Sequence, residues 1–291
     1  MAGSDQSRRL AGIALVAVSA AVFSSAGIFT RSVTAAAWTV IFWRGLAAAG
    51  FTLGWLALRG QLAKELRSFD RRSLLIAAIG AAGSAAFIPA FKLSSVANVA
   101  LLYAAAPFAA AGLAWLVLRE LPGRRVLLAS AASLAGVAVI LQGALTGGSL
   151  KGDLLALFMT LMMAGIMTAY RKWPDVAAAL PNAVSSLLLL PVAAVCAPVM
   201  AVPQGEMPVL ILFGLVFAVA SVTLCEGARR LPAAETALLS ALETPLAPLL
   251  AFLILAERPS LQTVAGGAVI FAAVLWSQRP ARKAAEPTAC P

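Results

Sequence analysis

Residues 233–258, with the sequence AAETALLSALETPLAPLLAFLILAER, decide the fold class. More than 20 mostly apolar residues, at a helical rise of ~1.5 Å each, cover a hydrocarbon core of ~30 Å. The stretch nevertheless carries Glu243 well inside it, and Pro245 and Pro248 follow. A carboxylate at the centre of a membrane helix costs ~2.5 to 3.5 kcal/mol, and each proline removes a backbone hydrogen bond. The pattern therefore predicts a membrane-spanning helix on which Glu243 faces protein or a water-filled cavity.

The composition of the whole chain is typical of an integral membrane protein. Of the 291 residues, 62% are hydrophobic and 12% are charged, and the mean hydropathy is +0.94. These values lie far outside the range of soluble globular domains. The chain contains no histidine, and its three cysteines lack a metal-ligand spacing. We therefore predict neither a metal site nor a cofactor.

Charged, glycine and proline residues divide the chain into ten hydrophobic segments. The segments are 10–30, 36–58, 73–92, 95–118, 125–143, 152–170, 176–201, 207–228, 234–256 and 260–278. No intervening block is long enough to form a soluble domain. The sequence thus predicts an all-α membrane protein with ten transmembrane helices, embedded in the lipid bilayer.

The positive charges predict the orientation of these helices. Both chain ends and alternate loops together hold 17 of the 22 Lys and Arg residues, the other loops hold four, and Arg44 lies inside a segment. Because cytoplasmic loops are enriched in Lys and Arg, we expect the N- and C-termini to be cytoplasmic. The cations are scattered over six loops or ends without an aromatic-studded stripe, so no nucleic-acid partner is predicted.

The two halves of the chain resemble each other. Short matches recur in the same order at an offset of 137 residues, namely Ala100-Leu101-Leu102 with Ala237-Leu238-Leu239 and Glu120-Leu121-Pro122 with Glu257-Arg258-Pro259. This agreement in order and spacing predicts a duplication, with one five-helix unit at 1–146 and a second at 147–291. Because five is an odd number of spans, the second unit is predicted to be inverted relative to the first.

The repeated pattern also resembles a known family. Residues 96–140 and 233–276 each contain A-x-x-A-L-L, a mid-helix proline, a terminal glutamate and a glycine-rich last span. This pattern resembles the EamA-type repeat of the drug/metabolite transporter superfamily. The resemblance implies a ten-span carrier with inverted repeats, and within the superfamily the chain is most similar to bacterial exporters of amino acids, aromatic ones included. It also implies a location in the bacterial inner membrane.

A transport site needs a few polar groups near the midplane, reachable from each side in turn. At the offset of 137 residues, Tyr103 corresponds to Ser240 and Ala106 to Glu243, and residues three apart share one face of a helix. The candidate substrate-binding residues are Glu243, Tyr103, Ser240, Arg44, Trp43, Phe87, Met163, Ser24 and Ser221. The candidate hinges are Pro89, Pro107, Pro245 and Pro248.

Two of these residues allow more than one interpretation. Arg44 has the planar guanidinium that binds a substrate carboxylate, but it is equally suited to brace the fold by pairing with Glu243 or with helix carbonyls. Glu243 is a candidate for substrate, proton or gate function, since an ionisable residue inside a membrane is a functional hypothesis by default. Gly50-x-x-x-Gly54 is a pattern that permits close helix contact.

The leading hypothesis is a secondary transporter that exports neutral or aromatic amino acids and related small metabolites by alternating access, as a monomer or homodimer. The alternative is an exporter of drugs, sugars or nucleotide-like metabolites. Proton-coupled and facilitated transport both remain open, while the chain lacks a Walker A motif for direct use of ATP. An intramembrane enzyme is less favoured without a histidine or a deep aspartate pair, and a channel without a charged ring or carbonyl filter.

Overall fold

The computed structural model describes residues 2–94, 96–141, 149–255 and 260–278, and these residues form fourteen α-helices. The helices are α1 Ala2–Phe23, α2 Ala26–Arg31, α3 Ala37–Leu58, α4 Leu62–Arg67, α5 Arg71–Leu93, α6 Val96–Ala104, α7 Ala106–Leu118, α8 Arg124–Ile140, α9 Leu150–Lys172, α10 Ala179–Cys196, α11 Met207–Ala228, α12 Ala233–Ser240, α13 Glu243–Leu255 and α14 Leu261–Gln278. The predicted boundary at 146 and 147, and Glu257, lie outside the described residues.

Seven stretches of helix among the described residues are long and apolar enough to cross a membrane. They begin at Gln6 and at the start of α3, α9, α10, α11, α12 and α14, and the stretch from Ala233 to Ile254 runs through α12 into α13. Each of the ten predicted segments contains a helix or a pair of consecutive helices. The helix in the segment predicted at 176–201 is shorter than the segment, since α10 ends at Cys196. Pro198 disfavours helical backbone at the residue before it, Ala197.

Three of the segments predicted as continuous helices are broken. The segment at 95–118 turns at Ala105, between α6 and α7, and the segment at 234–256 turns at Ala241 and Leu242, between α12 and α13. In these two cases the break comes a few residues before a proline, Pro107 or Pro245, which has no N–H to donate to the carbonyl four residues earlier. The third break, at Ser24 and Ser25 between α1 and α2, lies in the segment at 10–30, which contains no proline.

The other candidate hinges do not interrupt their helices. Pro89 lies inside α5, which continues to Leu93, and Pro248 lies inside α13. A break is therefore present at only two of the four predicted prolines. Whether any of them moves stays a prediction.

The described loops gather at two ends of the helix bundle. At the end that we call the basic end, Arg171 pairs with Glu120 at 3.1 Å, and Glu65 accepts a hydrogen bond of 3.0 Å from the N–H of Leu180. Arg9 also reaches Gln278 there, at 3.2 Å. At the opposite end Ser149 donates to the Leu93 carbonyl at 2.5 Å. Residues 8–9, 59–72, 119–125, 171–175, 229–230 and 278 define the basic end.

Packing follows the predicted duplication. Helices α1 and α9 are equivalent in the two repeats, as are α5 and α11, and the contact of α5 with α9 has its counterpart in the contact of α11 with α1. Two further helices each pack on their own equivalent, α3 on α10 and α8 on α14. The N-terminal part of α1 lies at the basic end, whereas its equivalent, α9, begins at the opposite end beside Leu93. Equivalent helices of the two halves thus run in opposite directions.

Glycines permit close contacts between helices, but the predicted motif Gly50-x-x-x-Gly54 does not lie at one of them. A Cβ on Gly136 would lie 2.8 Å from the Gly266 carbonyl oxygen, so α8 and α14 touch through backbone. A Cβ on Gly214 would lie 2.7 Å from the Arg44 carbonyl oxygen, where α11 crosses α3. By contrast, no atom lies within 4 Å of a Cβ placed on Gly50 or Gly54, so this pattern makes no helix contact among the described residues.

Glu206 fixes the loop that follows α2. Its carboxylate accepts hydrogen bonds of 2.8 Å and 2.7 Å from the N–H and hydroxyl of Thr34, and one of 3.1 Å from the N–H of Ala35. The bonds from Thr34 lower the pKa of Glu206 below its ordinary value of 4.5. A carboxylate with a lowered pKa in the folded state stabilises the fold above its unfolded pKa and loses that contribution as the pH falls.

We expect purified wild-type protein to lose stability as the pH drops through 4.5 and below, with Glu206 supplying part of that loss. Glu206→Gln should lower stability at neutral pH and flatten the acid dependence, because its amide does not titrate. Thr34→Val, which removes one donor, should do so to a smaller extent. Thermal unfolding between pH 7 and pH 3 measures both effects, and an acid dependence in Glu206→Gln equal to that of wild type would contradict this assignment.

Candidate functional site

Glu243 begins a helix and does not lie in the middle of one. It is the first residue of α13, directly after the break at Ala241 and Leu242, and its side chain is partly exposed. The N-terminal end of a helix carries a partial positive charge, which favours a carboxylate there. In the part of the chain that the structure describes, the Glu243 carboxylate makes no hydrogen bond and no ion pair. The Glu243 carboxylate is thus available to accept hydrogen bonds from a ligand at the break in a membrane helix.

Tyr103 is the nearest predicted partner of Glu243. It lies in the last turn of α6, and its phenol is close enough to interact electrostatically with the Glu243 carboxylate. The ring packs with Phe87 against a buried cluster that includes Ala90 and Met159. The repeat equivalence of Ala106 and Glu243 is evident in the fold, since each begins the helix that follows a break. The two breaks therefore bring a phenol and a carboxylate together.

Arg44 occupies a second polar position, deep in α3. Only 4% of the residue is exposed, and its terminal nitrogen donates a hydrogen bond of 3.0 Å to the Ser84 hydroxyl of α5. Its Nε is buried and has no hydrogen-bond partner among the described residues. The predicted alternative of an ion pair with Glu243 is not realised, as the described residues contain no carboxylate bonded to Arg44.

Aromatic rings take the place of a counter-ion around Arg44. The guanidinium carbon lies 4.2 Å from the ring centre of Phe217 and 5.5 Å from that of Phe213, both on α11. Phe217 in turn meets Phe23 edge to face at 5.9 Å, and Phe213 stacks on Phe29 at 5.3 Å. Such π faces stabilise a desolvated cation. This cluster was not predicted from the sequence, although Phe213 and Phe217, four residues apart, share a helix face.

Three of the predicted site residues donate their side-chain hydrogen bonds to backbone carbonyls of the protein. The Ser24 hydroxyl donates to the Ala21 carbonyl at 2.6 Å, and the Ser240 hydroxyl donates to the Thr236 carbonyl at 3.0 Å. Hydroxyls that bond their own helix need no ligand. The Trp43 indole donates to the Val199 carbonyl at 2.7 Å and thereby ties α3 to the loop after α10.

The remaining candidates pack among apolar side chains. Met163 is partly buried between two apolar clusters, one of them containing Tyr170 and Cys225. Ser221 is buried on α11 and Phe87 is partly buried on α5. Tyr103 and Phe87 thus pack on the same cluster. Glu243 and Arg44 lie in different surroundings and do not bond to each other. Among the described residues, no three Asp, Glu, Cys or His side chains group as metal ligands.

Helix α12 lies at the basic end of the bundle. All eight residues of this helix are buried, and it packs along α7. Glu235, whose side chain is 8% exposed, pairs with Arg9 of α1. No comparable packing joins α6 to α13 in the described residues at the opposite end. A cleft of about 310 Å³ remains beside the ends of α7, α8 and α12, and the predicted site residues do not line it.

These features define a multi-pass, all-helical membrane protein built from two repeats, with polar groups held at breaks inside the bundle. The sequence profile of the EamA-like transporter family matches residues 10–142 and 150–278. The chain therefore belongs to the EamA-like transporter family, and the predicted resemblance to that family is confirmed.

Comparison with solved structures agrees on the fold. Twenty-eight chains of solved structures match. One of them, a crystal structure described only as that of a protein, has a TM-score of 0.77 and 18% sequence identity, covering 94% of this chain and 97% of its own. At that identity the similarity shows the fold alone. No curated protein matches the sequence significantly.

Proposed function

We propose that this protein is a secondary transporter that exports neutral and aromatic amino acids, and related small metabolites, across the bacterial inner membrane. The observation that carries the proposal is Glu243, a carboxylate without a partner among the described residues, at the break between α12 and α13. An ammonium group of a substrate supplies the missing partner. Arg44, a buried guanidinium with a free Nε, is the group that attracts a substrate carboxylate.

The surroundings of these two charges suit an apolar or aromatic side chain. Tyr103 interacts with Glu243 and packs on the same buried cluster as Phe87, and Phe217 covers Arg44. Aromatic rings and a few polar groups are the usual lining of a small-molecule site. Among the described residues Arg44 and Glu243 form no ion pair with each other, so in this proposal the two charges bind the substrate as separate anchors.

In this proposal the chain crosses the membrane ten times, with α1 and α2, α6 and α7, and α12 and α13 each forming one broken span, and α4 lying between spans. The basic end is cytoplasmic, as the distribution of Lys and Arg supports. The two units at 1–146 and 147–291 have opposite orientations, as the opposite directions of α1 and α9 support. The described conformation is then closed to the cytoplasm and more open toward the outside.

Alternating access requires the cytoplasmic closure to open. In the described conformation α12 lies against α7, and the pair of Arg9 with Glu235 holds α12 to α1. Opening must separate these helices and therefore break this pair. The Arg9–Glu235 pair is thus a candidate cytoplasmic gate.

We expect Glu235→Gln to increase opening at the basic end. The readout is labelling of Ala237→Cys, a position on α12 that is 3% exposed, by a membrane-impermeant thiol reagent applied from that side, with the native cysteines replaced. Labelling should rise several-fold. Glu226→Gln is the matched control, since among the described residues Glu226 pairs with Arg229 and Arg230 alone, near the end of its own helix. Equal labelling in both variants would contradict the gate.

Counterflow into liposomes tests the function itself. Liposomes that contain the purified protein are loaded with an unlabelled amino acid, and uptake of labelled phenylalanine, leucine and alanine is measured. Saturable and competable uptake is the expected result and distinguishes a carrier from a channel. Uptake of none of them would remove the amino-acid assignment and favour drugs, sugars or nucleotide-like metabolites. An imposed pH gradient that leaves the flux unchanged would exclude proton coupling.

A further inference from the structure

A short surface helix links α3 to α5 at the basic end. This helix, α4, has two sides with different roles. Leu62 packs with Leu56 and Leu180 in a buried cluster, and Glu65 accepts the hydrogen bond from the N–H of Leu180. Residues three apart lie on one face of a helix, so Leu62 and Glu65 dock α4 on the bundle. Lys64 and Arg67, also three apart, are exposed on another side.

Cations and apolar side chains are mixed on the outward side. We call the exposed side chains of Leu58, Arg59, Lys64, Leu66, Arg67 and Arg71 the α4 surface. Leu58 is 91% exposed and Leu66 is 56% exposed. Leu58 is also the last residue of α3, one of the helices long and apolar enough to span a membrane. The α4 surface therefore lies where a membrane span ends, at the level of lipid headgroups.

The cations of the α4 surface lack acidic partners, unlike many others at the same end. In the described part of the chain, Lys64, Arg67 and Arg71 form no ion pair, and Arg59 lies 5.2 Å from the Trp55 ring centre. The one carboxylate of α4, Glu65, is turned inward to Leu180. Elsewhere at the basic end, several cations do pair with carboxylates, namely Arg9 with Glu235, Arg171 with Glu120, and Arg229 and Arg230 with Glu226.

We propose that the α4 surface binds the headgroups of anionic phospholipids in the leaflet at the basic end. Charge complementarity selects the partner, because four cations face outward and phosphate is the anion present at that depth. The exposed Leu58 and Leu66 add contacts with the acyl chains, which a soluble phosphate cannot make. Clusters of Lys and Arg directly beside a membrane helix attract anionic lipid. This inference does not depend on what the protein transports.

Lipid binding to the full-length protein in detergent tests the proposal. Native mass spectrometry compares phosphatidylglycerol with phosphatidylcholine for wild type and for the triple variant Lys64→Gln, Arg67→Gln, Arg71→Gln. Wild type should prefer phosphatidylglycerol. Each lost cation should weaken binding of that lipid roughly fivefold, so the triple variant should bind it roughly 100-fold more weakly. The control is Arg8→Gln, Arg119→Gln, Arg124→Gln, which removes three exposed cations of the same end.

The control should retain the wild-type preference, and circular dichroism verifies that both triple variants are folded. The proposal is overturned if wild type shows no preference for phosphatidylglycerol, or if both triple variants lose it equally, which would indicate a general attraction to positive charge. It is also overturned if soluble glycerol phosphate competes as well as the lipid does, because the surface would then be a phosphate site.

Discussion

Glu243→Gln is expected to reduce amino-acid counterflow strongly while leaving the protein folded. A hydrogen bond to a charged group contributes about 1.5–3 kcal/mol, which corresponds to roughly 10- to 150-fold in affinity. Glutamine keeps the shape of the side chain and an acceptor oxygen but loses the charge that attracts an ammonium group. We therefore expect at least a tenfold loss of counterflow at low substrate concentration.

The same substitution should not destabilise the protein. Glu243 has no hydrogen-bond or ion-pair partner in the described residues, so glutamine breaks no native contact. Burying a carboxylate that has no partner costs free energy, so its replacement by a neutral amide should leave the melting temperature unchanged or raise it. A loss of transport without a loss of stability distinguishes a functional carboxylate from a structural one. Low transport together with a lower melting temperature would contradict the assignment.

Ser240→Ala is the matched control for Glu243→Gln. Ser240 lies three residues earlier, beside the same break, but its hydroxyl donates to the Thr236 carbonyl of its own helix. Its removal should change counterflow less than twofold. Glu243→Gln also separates two transport mechanisms: a variant that still exchanges amino acids but no longer responds to a pH gradient assigns Glu243 to proton coupling instead of substrate binding.

The positions of the helices could be predicted from the sequence because charges, glycines and prolines mark their ends. The offset of 137 residues likewise predicted that Ala106 and Glu243 are equivalent, and each begins the helix after a break. The break at Ser24 and Ser25 was missed, since no proline marks it. Both serine hydroxyls bond carbonyls three residues earlier, at 2.6 Å and 2.7 Å, an interaction that serines in a regular helix can also make.

Contacts between distant helices could not be predicted. In a membrane helix the sides that face lipid and protein are both apolar, so periodicity does not reveal which side is buried. Thus Gly50 and Gly54 suggested a helix contact that is absent from the described residues, whereas Gly214 makes one. The aromatic shell of Arg44 depends on that contact, because Phe213 and Phe217 approach α3 only where Gly214 lets α11 come close.

Gly214→Ala is expected to destabilise the protein substantially. The new Cβ would lie 2.7 Å from the carbonyl oxygen of Arg44 and 2.9 Å from the backbone nitrogen of Ala48. Both are backbone atoms, which no change of rotamer can move, so α11 must shift away from α3. Overpacking of this kind costs about 1–3 kcal/mol. The melting temperature in detergent measures the loss, followed by a thiol dye that reacts with the buried Cys225 on unfolding, after the exposed Cys196 and also Cys290 have been replaced by alanine.

Gly112→Ala provides the control, because it makes the same chemical change where space is open. Gly112 lies inside α7, and a Cβ there meets no atom within 4 Å. Since alanine is favoured over glycine in a helix by about 0.5–1 kcal/mol, this variant should be as stable as wild type or more stable. A melting temperature of Gly214→Ala equal to that of Gly112→Ala would show that α11 does not contact α3 as described.

Gly214→Ala also links packing to the candidate site. A shift of α11 moves Phe217 away from the guanidinium of Arg44. Of the described partners, the buried cation then keeps the Ser84 hydroxyl. If the π faces hold Arg44 in place for a substrate carboxylate, Phe217→Leu should reproduce the loss of counterflow with a smaller loss of stability than Gly214→Ala. If Arg44 serves only to brace α3 against α5 and α11, Phe217→Leu should lower the melting temperature and leave counterflow unchanged in the fraction that remains folded.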